Sequence, residues 1–103
     1  MTLAEIRSKL VAIDPDIRHH YSTESSRDYT YWSEITRLPL TADGVHDEGW
    51  RFYVHRFTRN EFDPIARQIF DALDEDPRFA VREDRDFEPD TGYIHHIFTC
   101  EGY

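Results

Sequence analysis

The chain contains little cysteine, lysine or glycine, and each shortage excludes a class of function. Cys100 is the single cysteine, so no internal disulfide can form, and no CxxC pair exists from which a zinc ribbon or a thioredoxin-like site could be built. The four glycines are scattered, which excludes a glycine-rich loop that cradles phosphates. Lysine occurs once, at Lys9, and the formal net charge is −9, so we expect no tight binding to nucleic acid.

Long hydrophobic runs are missing too. No stretch has the length of a transmembrane helix and the N-terminus does not resemble a signal peptide, so we expect a soluble, reduced, cytoplasmic protein with no membrane partner. The length of 103 residues suits a single domain, 1–103, with one core. Because aromatic residues make up 15% of the chain, that core should depend on Phe, Tyr and Trp.

A strand that leads into a helix is predicted between residues 50 and 73. Residues 50–57 have the aromatic and β-branched composition of a strand, and alternation divides their large side chains between two faces. One face holds Trp50, Phe52 and Val54, and the other holds Tyr53, His55 and Phe57. The helix could begin at a capping box over 58–61 or at Asp63-Pro64. Its apolar residues up to Leu73 form one stripe that faces a core.

The remaining elements complete an α+β domain. A first helix begins at a capping box over 2–5 and ends at Asp14-Pro15. Further strands are predicted over 17–21, 29–38, 78–82 and 93–100. An Asp-Gly turn indicates a long hairpin with a mobile, polar tip over 41–48, and the charged stretch 83–89 is interpreted as a loop. In the order α-β-β-β-α-β-β, two helices would pack on one face of a mainly antiparallel sheet.

Candidate catalytic and metal-binding residues are few. The neighbours His95 and His96 should point to opposite faces of a strand, so they cannot coordinate one ion together. The same applies to His19 and His20. A metal site would need a carboxylate and a strand pairing that places His55 beside His95 or His96. Nothing in the sequence determines that pairing. We therefore expect no catalytic residue, no cofactor and no metal site. An enzyme that uses His55 or His96 in a pocket at a dimer interface stays open as one alternative.

The excess of large aromatic residues is the main functional signal. A single layer of helices covers only one side of a sheet, whereas here large rings lie on both faces of the strands. Tyr, Trp and Arg are enriched at the energetic centres of protein interfaces. The interface candidates are Tyr29, Tyr31, Trp32, Trp50, Tyr53, Phe57 and Tyr93. The alternative is that these rings fill an aromatic core, and both can hold for different members.

The pattern of elements resembles the small tail completion proteins (tail terminator or head–tail joining proteins) of long-tailed bacteriophages and their prophage relatives. The resemblance covers most of the chain. It rests on the leading helix 3–10, the tyrosine-rich second strand, the segment 51–58 that runs into the second helix, and two closing strands that include 93–98. It implies a structural virion protein, present in the host cytoplasm during assembly, whose copies form a ring, often hexameric. That ring would cap the tail tube and dock it to the head connector.

The acidic residues fit such a ring because like charges would let DNA pass through its channel without adhering. The candidates for the lumen, or for loops that contact a partner, are Asp43, Asp47, Glu48, Glu83, Asp84 and Asp86. The alternative from another class is an acidic protein-binding module that mimics DNA or inhibits a host nucleic-acid-binding protein. It would need carboxylates spaced along one face like phosphates, whereas these acids are predicted to lie in loops.

Overall fold

The computed structural model describes residues 1–21, 27–42 and 45–103, with side chains throughout these ranges except at 40–42 and 45–47. The predicted α+β class is confirmed, since two helices accompany a five-stranded, mainly antiparallel sheet. The elements are α1 (Leu3–Ile13), β1 (Arg18–His19), β2 (Tyr29–Ala42), β3 (Val45–Thr58), α2 (Pro64–Asp74), β4 (Phe79–Glu88) and β5 (Tyr93–Gly102). Neither α1 nor α2 is long and apolar enough to span a membrane, and this covers the described part of the chain.

The sheet has the strand order β1-β2-β3-β5-β4. The short β1 runs parallel to β2, and every other neighbouring pair is antiparallel. β2 and β3 pair from Tyr29 opposite Phe57 to Ala42 opposite Val45, with one register shift between Glu34 and Thr36. This long hairpin gives the molecule its extent of 51 Å along one axis, against 24 and 22 Å along the others.

Both helices begin at capping residues that the sequence identifies. Thr2 and Glu5 form the predicted capping box of α1. Of the two predicted starts for α2, Asp63-Pro64 is the one adopted: the Asp63 carboxylate accepts a hydrogen bond from the Ala66 amide at 3.0 Å. Thr58 instead ends β3 and donates its hydroxyl to Asp28 at 2.7 Å, which keeps it out of the helix.

The core lies between the two helices and one face of the sheet, as predicted. Its strands contribute the large rings of Trp32, Phe52 and Phe98, each at most 1% exposed. Its helices contribute Ile6, Leu10, Ala66, Ile69 and Leu73. Because strand residues alternate between faces, this burial assigns the neighbouring residues of β2, β3 and β5 to the opposite side of the sheet.

Two predicted boundaries were wrong. The charged stretch 83–88 is not a loop, because β4 continues to Glu88 and pairs with β5 as far as Tyr93. An edge strand tolerates such a sequence, since its backbone pairs on one side while charged side chains discourage pairing on the other. The hairpin strands also extend into the predicted tip, to Ala42 and from Val45. The predicted Asp43-Gly44 turn lies outside the described residues.

Candidate functional site

The sheet face opposite the helices carries a layer of aromatic rings, and we call it the open face. It is formed by Tyr29, Tyr31, Tyr53, His55, Phe57, Tyr93, His95 and Ile97. Strand pairing places them in rows, with Tyr29 opposite Phe57 and Phe57 opposite His95. No described helix packs on this face, so most of these side chains are only half-buried. Tyr21 contacts it at Tyr31, and the Tyr93 hydroxyl donates to the Arg27 carbonyl. Within the described residues, its half-buried rings are accessible to another molecule.

Ring stacking across strands makes this layer continuous. Phe57 stacks on Tyr29 at 4.7 Å and 10° and on His95 at 4.1 Å and 16°. Tyr31 stacks on His55 at 4.6 Å and 22°. Directly opposed rings of this kind stabilise a sheet pairwise by about 0.2–1 kcal/mol each. The layer is thus a preformed, rigid surface whose rings need little ordering when a partner binds.

Two histidines at the centre of the open face share a hydrogen bond. His55 Nδ1 lies 2.8 Å from His95 Nε2, so one nitrogen donates its proton and the other accepts it. Burial and the neighbouring His95 lower the pKa of His55 to about 4. Burial also lowers the pKa of His95, although the negative charges of Glu88 and Asp86 oppose that effect. Both rings are therefore neutral at pH 7, and the formal charges beside them lie on β4, where Asp86 is opposite His95 and Glu88 is opposite Tyr93.

The predicted interface candidates divide between the two faces. Tyr29, Tyr31 and Tyr53 lie half-buried on the open face. Phe57 and Tyr93 lie on it too but are only 7% and 2% exposed, because neighbouring side chains cover them. In particular, the Arg59 guanidinium sits 3.9 Å above the Tyr93 ring.

The prediction was wrong for Trp32, which is 1% exposed in the helix-covered core. Trp50 also packs against that core. Alternation along β2 puts Trp32 on the opposite side from Tyr31, and only the position of the helices decides which of those sides is buried. Neither indole belongs to the open face.

Three of the acidic candidates lie on strands and pair with arginines, whereas the sequence predicted them in loops. Glu83 and Asp84 lie on β4 and form ion pairs with Arg85 at 3.1 Å and Arg82 at 3.2 Å. Glu48 pairs with Arg37 at 3.2 Å. Asp86 is exposed on β4, opposite His95. Asp43 and the side chain of Asp47 lie outside the described residues.

His19, His20 and Glu34 form a second cluster, in which the structure contradicts the sequence-based expectation. The two imidazoles do not point to opposite faces: they stack at 3.8 Å and 17°. β1 ends at His19, and His20 has a φ of 70°, in the left-handed region, so the alternation of a strand no longer applies to it. His19 Nε2 lies 2.7 Å from Glu34 Oε2. Sequence alternation could not reveal this, because no glycine or turn motif marks the position.

Stability should fall as the medium becomes acidic, and the open-face histidines give the reason. His55, His95 and the core residue His96 all have lowered pKa values through burial. The unfolded chain therefore binds more protons than the folded one below about pH 6.5, and the free energy of unfolding decreases as pH falls through that window. We expect a loss of roughly 2 kcal/mol between about pH 7 and pH 5, measured by urea unfolding.

Substitution on the same face separates this titration from other effects of acid. Replacing His55 with phenylalanine should flatten the slope of stability against pH, whereas replacing its stacking partner Tyr31 with phenylalanine should not. Carboxylates contribute little in this window because their ordinary pKa values lie below it. Equal stability of the wild-type protein at the two pH values would contradict the neutral pairing of His55 and His95.

Comparison with known proteins assigns no family to this arrangement. No protein-family model matches the chain, and a search of curated proteins finds none with significant similarity. The argument for function therefore rests on the molecule itself: a sheet backed by helices on one side, with an uncharged layer of stacked rings on the other.

Proposed function

We propose that this protein is a structural, non-enzymatic component of a bacteriophage or prophage virion, which completes the tail tube and joins it to the head connector. Its copies would associate into a ring through the open face. The observation that carries this proposal is the layer of stacked rings on a sheet face that α1 and α2 leave uncovered. The resemblance of the element pattern to tail completion proteins supplies the more specific role.

A second copy of the same chain is the occupant that the charge distribution favours. Each copy carries a formal net charge of −9, so most surfaces of two copies repel each other. On β2, β3 and β5 the rows that contain Tyr29, Tyr31 and Tyr53 hold no formal charge, whereas β4 continues these rows with Asp86, Asp84 and Arg82. Two copies can therefore approach over β2, β3 and β5 without burying an unpaired ion when the charged β4 edge stays outside the contact. Half-buried tyrosines of this kind are typical energetic centres of interfaces.

A ring requires that the open face of one copy meets a different surface of the next copy. Two exposed rings lie towards the same end of the sheet, where Ile94 pairs with Thr58 on one side and with Phe87 on the other, and they supply such a surface. Phe62, 83% exposed, follows the end of β3, and Phe87, 58% exposed, lies at the end of β4, opposite Ile94. We propose that these two phenylalanines contact the open face of the neighbouring copy.

The acidic character fits passage of DNA through such a ring. A net charge of −9 per copy repels phosphates, because 21 acidic residues outnumber the 12 lysine and arginine residues. Among the acidic candidates, Asp86 lies opposite His95 and would border the contact between copies, so the lumen would be lined by others such as Glu48.

One observation favours the alternative of a DNA mimic. Asp84, Asp86 and Glu88 recur at every second residue on one side of β4, about 7 Å apart. A row of carboxylates along one face is what mimicry of a phosphate backbone needs. However, Arg82 neutralises Asp84 at 3.2 Å, so the row is short and partly cancelled. This makes mimicry the second candidate.

Sedimentation velocity over a wide concentration range tests self-association. We expect ring-sized oligomers of the wild-type protein at high concentration and their loss in Tyr31→Arg, which puts a cation in the centre of the open face. Gln68→Arg, on the exposed side of α2, adds the same charge elsewhere and should associate like the wild type. A strict monomer throughout, or equal association of all three proteins, would contradict the ring.

The virion role is tested separately from self-association. Genes for a portal, a capsid and a tail-tube protein beside this one, together with the protein in purified particles by mass spectrometry, would support it. A monomer that binds a basic nuclease, encoded away from structural genes, would support mimicry instead. If the protein forms a ring but its gene has no such neighbours, the proposed self-association would stand and the proposed phage role would be wrong.

A further inference from the structure

We propose that His19, His20 and Glu34 form a binding site for a divalent transition-metal ion that prefers imidazole ligands, with Zn²⁺ as the best fit. Their ligand atoms all lie within 4.8 Å of one another. Among the described residues, these three form the group of histidine and acidic side chains that is close enough to share one ion. The proposal is independent of the role in tail assembly. It concerns the edge of the sheet at β1, on the side away from the open face.

The donor set suits this class of ion. Two imidazole nitrogens and one carboxylate oxygen are the ligands that zinc takes in sites with three protein ligands and a water molecule. Magnesium and calcium prefer sets made of oxygen atoms, so they should bind weakly here. Without metal, the site is held by the contact between His19 Nε2 and Glu34 Oε2 at 2.7 Å. An ion would displace the proton that these atoms share and interact with both.

The cluster is partly fixed in place by the core. The His19 ring stacks on Trp32 at 3.9 Å and 11°, and Trp32 is 1% exposed. Glu34 lies two residues along β2 from Trp32, on the same side of the strand. The His20 amide donates to the Trp32 carbonyl at 2.6 Å. Two of the three ligands therefore have their positions set by packing or by a strand, which lowers the cost of ordering them around an ion.

Closure of the site requires movement of one side chain. Ligand atoms on a tetrahedral Zn²⁺ are about 3.4 Å apart. The contact of 2.7 Å between His19 and Glu34 must therefore lengthen, and a pair near the limit of 4.8 Å must shorten by about 1.4 Å. The lone pairs of two stacked imidazoles are nearly parallel and do not converge, so one ring has to turn. His20 is exposed and free to do so, while His19 stays stacked on Trp32. Metal binding should thus separate the His19 and His20 rings.

The φ of 70° at His20 supports a specific role for this residue. A residue other than glycine in the left-handed region is uncommon, and such strain clusters at ligand sites. This conformation is what brings the second imidazole to the side of Glu34. Replacing His20 with glycine keeps the backbone conformation at no steric cost and removes only the ring. That substitution is therefore the cleanest test of the ligand.

Isothermal titration of the purified protein with Zn²⁺ tests the site, with tryptophan fluorescence as a second readout. We expect one ion per chain, a change in tryptophan emission because His19 stacks on Trp32, and no comparable binding of Mg²⁺. Affinity should fall by about tenfold or more in His20→Gly and in Glu34→Gln, which keeps the size and hydrogen-bonding ability of Glu34 but not its charge. His46→Ala, in β3 opposite Thr41, is the matched control and should bind like the wild type.

The following results would contradict the proposed metal site. Absence of saturable Zn²⁺ binding would overturn it. Equal affinity of His20→Gly and the wild type would show that the ion binds elsewhere, and so would loss of binding in His46→Ala. Circular dichroism of the variants without metal would verify that they are folded, so that lost binding reports the ligands and not the fold.

Discussion

Replacing Asp63 with alanine is expected to lower the free energy of unfolding by about 3–5 kcal/mol, because it removes the nearer carboxylate from buried Arg56 and leaves only Asp28, at 3.8 Å. The side chains of Arg56 and Asp63 are 6% and 5% exposed. Arg56 Nε donates to Asp63 Oδ2 at 2.9 Å and Nη2 donates to Oδ1 at 3.3 Å, so the carboxylate is held at both oxygens. The same guanidinium donates to Thr30 at 3.2 Å. The pair therefore joins β2, β3 and the start of α2.

Asp63 is also the cap of α2, and the loss of that role adds to the effect. Its Oδ2 accepts from the Ala66 amide at 3.0 Å, a contact whose removal costs about 1 kcal/mol on its own. Asp63→Asn can still cap the helix but cannot neutralise Arg56, so its stability should lie between those of the wild type and Asp63→Ala. Comparison of the two variants separates the cap from the ion pair.

The exposed pair of Arg67 and Asp71 gives the matched control. These side chains are 79% and 43% exposed and lie 2.9 Å apart on one turn of α2. Asp71→Ala should cost about 0.5 kcal/mol or less, because solvent screens such pairs. Urea unfolding followed by circular dichroism measures both changes. Similar losses for Asp63→Ala and Asp71→Ala would mean that the Arg56 pair is not buried in solution.

Local sequence signals predict those parts of the fold that depend on neighbouring residues. The capping residues Thr2 and Asp63 mark the starts of both helices, and Asp14-Pro15 marks the end of the first. These signals act through hydrogen bonds and backbone sterics within a few residues, so no knowledge of the fold is needed. The strand 83–88 has no such signal. Its charged side chains lack apolar alternation, and it forms because β5 supplies its backbone partners.

The candidate sites likewise combine features that the local sequence predicts with features that depend on the tertiary fold. Alternation predicts that Tyr53 and Phe57 share a face opposite Phe52, but not which face the helices cover. That choice decides whether Trp32 is a core residue or an interface residue. The contact of His55 with His95 depends on strand register, which the sequence left open. The cluster of His19, His20 and Glu34 depends on one backbone dihedral, which no residue type in the segment requires.

Replacement by alanine should destabilise the monomer far more at Phe52 than at the next residue, Tyr53. Phe52 is 0% exposed and packs edge-to-face on Trp32 at 6.3 Å and on Phe79 at 6.2 Å. Phe52→Ala should therefore cost about 3–5 kcal/mol, through lost burial and the cavity that remains. Tyr53 is half-buried on the open face, where its edge-to-face contact with His55 spans 5.6 Å. Tyr53→Ala should cost about 1 kcal/mol or less in the monomer.

The loss from Tyr53→Ala should appear instead in self-association, because its ring belongs to the proposed contact surface and not to the core. Urea unfolding of dilute protein measures the first effect, and sedimentation velocity at high concentration measures the second. The difference arises only if the helices cover one face of β3 and leave the other open. If Tyr53→Ala destabilised the monomer as much as Phe52→Ala, the rings opposite the helices would be part of the monomer's core, and the ring assembly would have no surface on which to form.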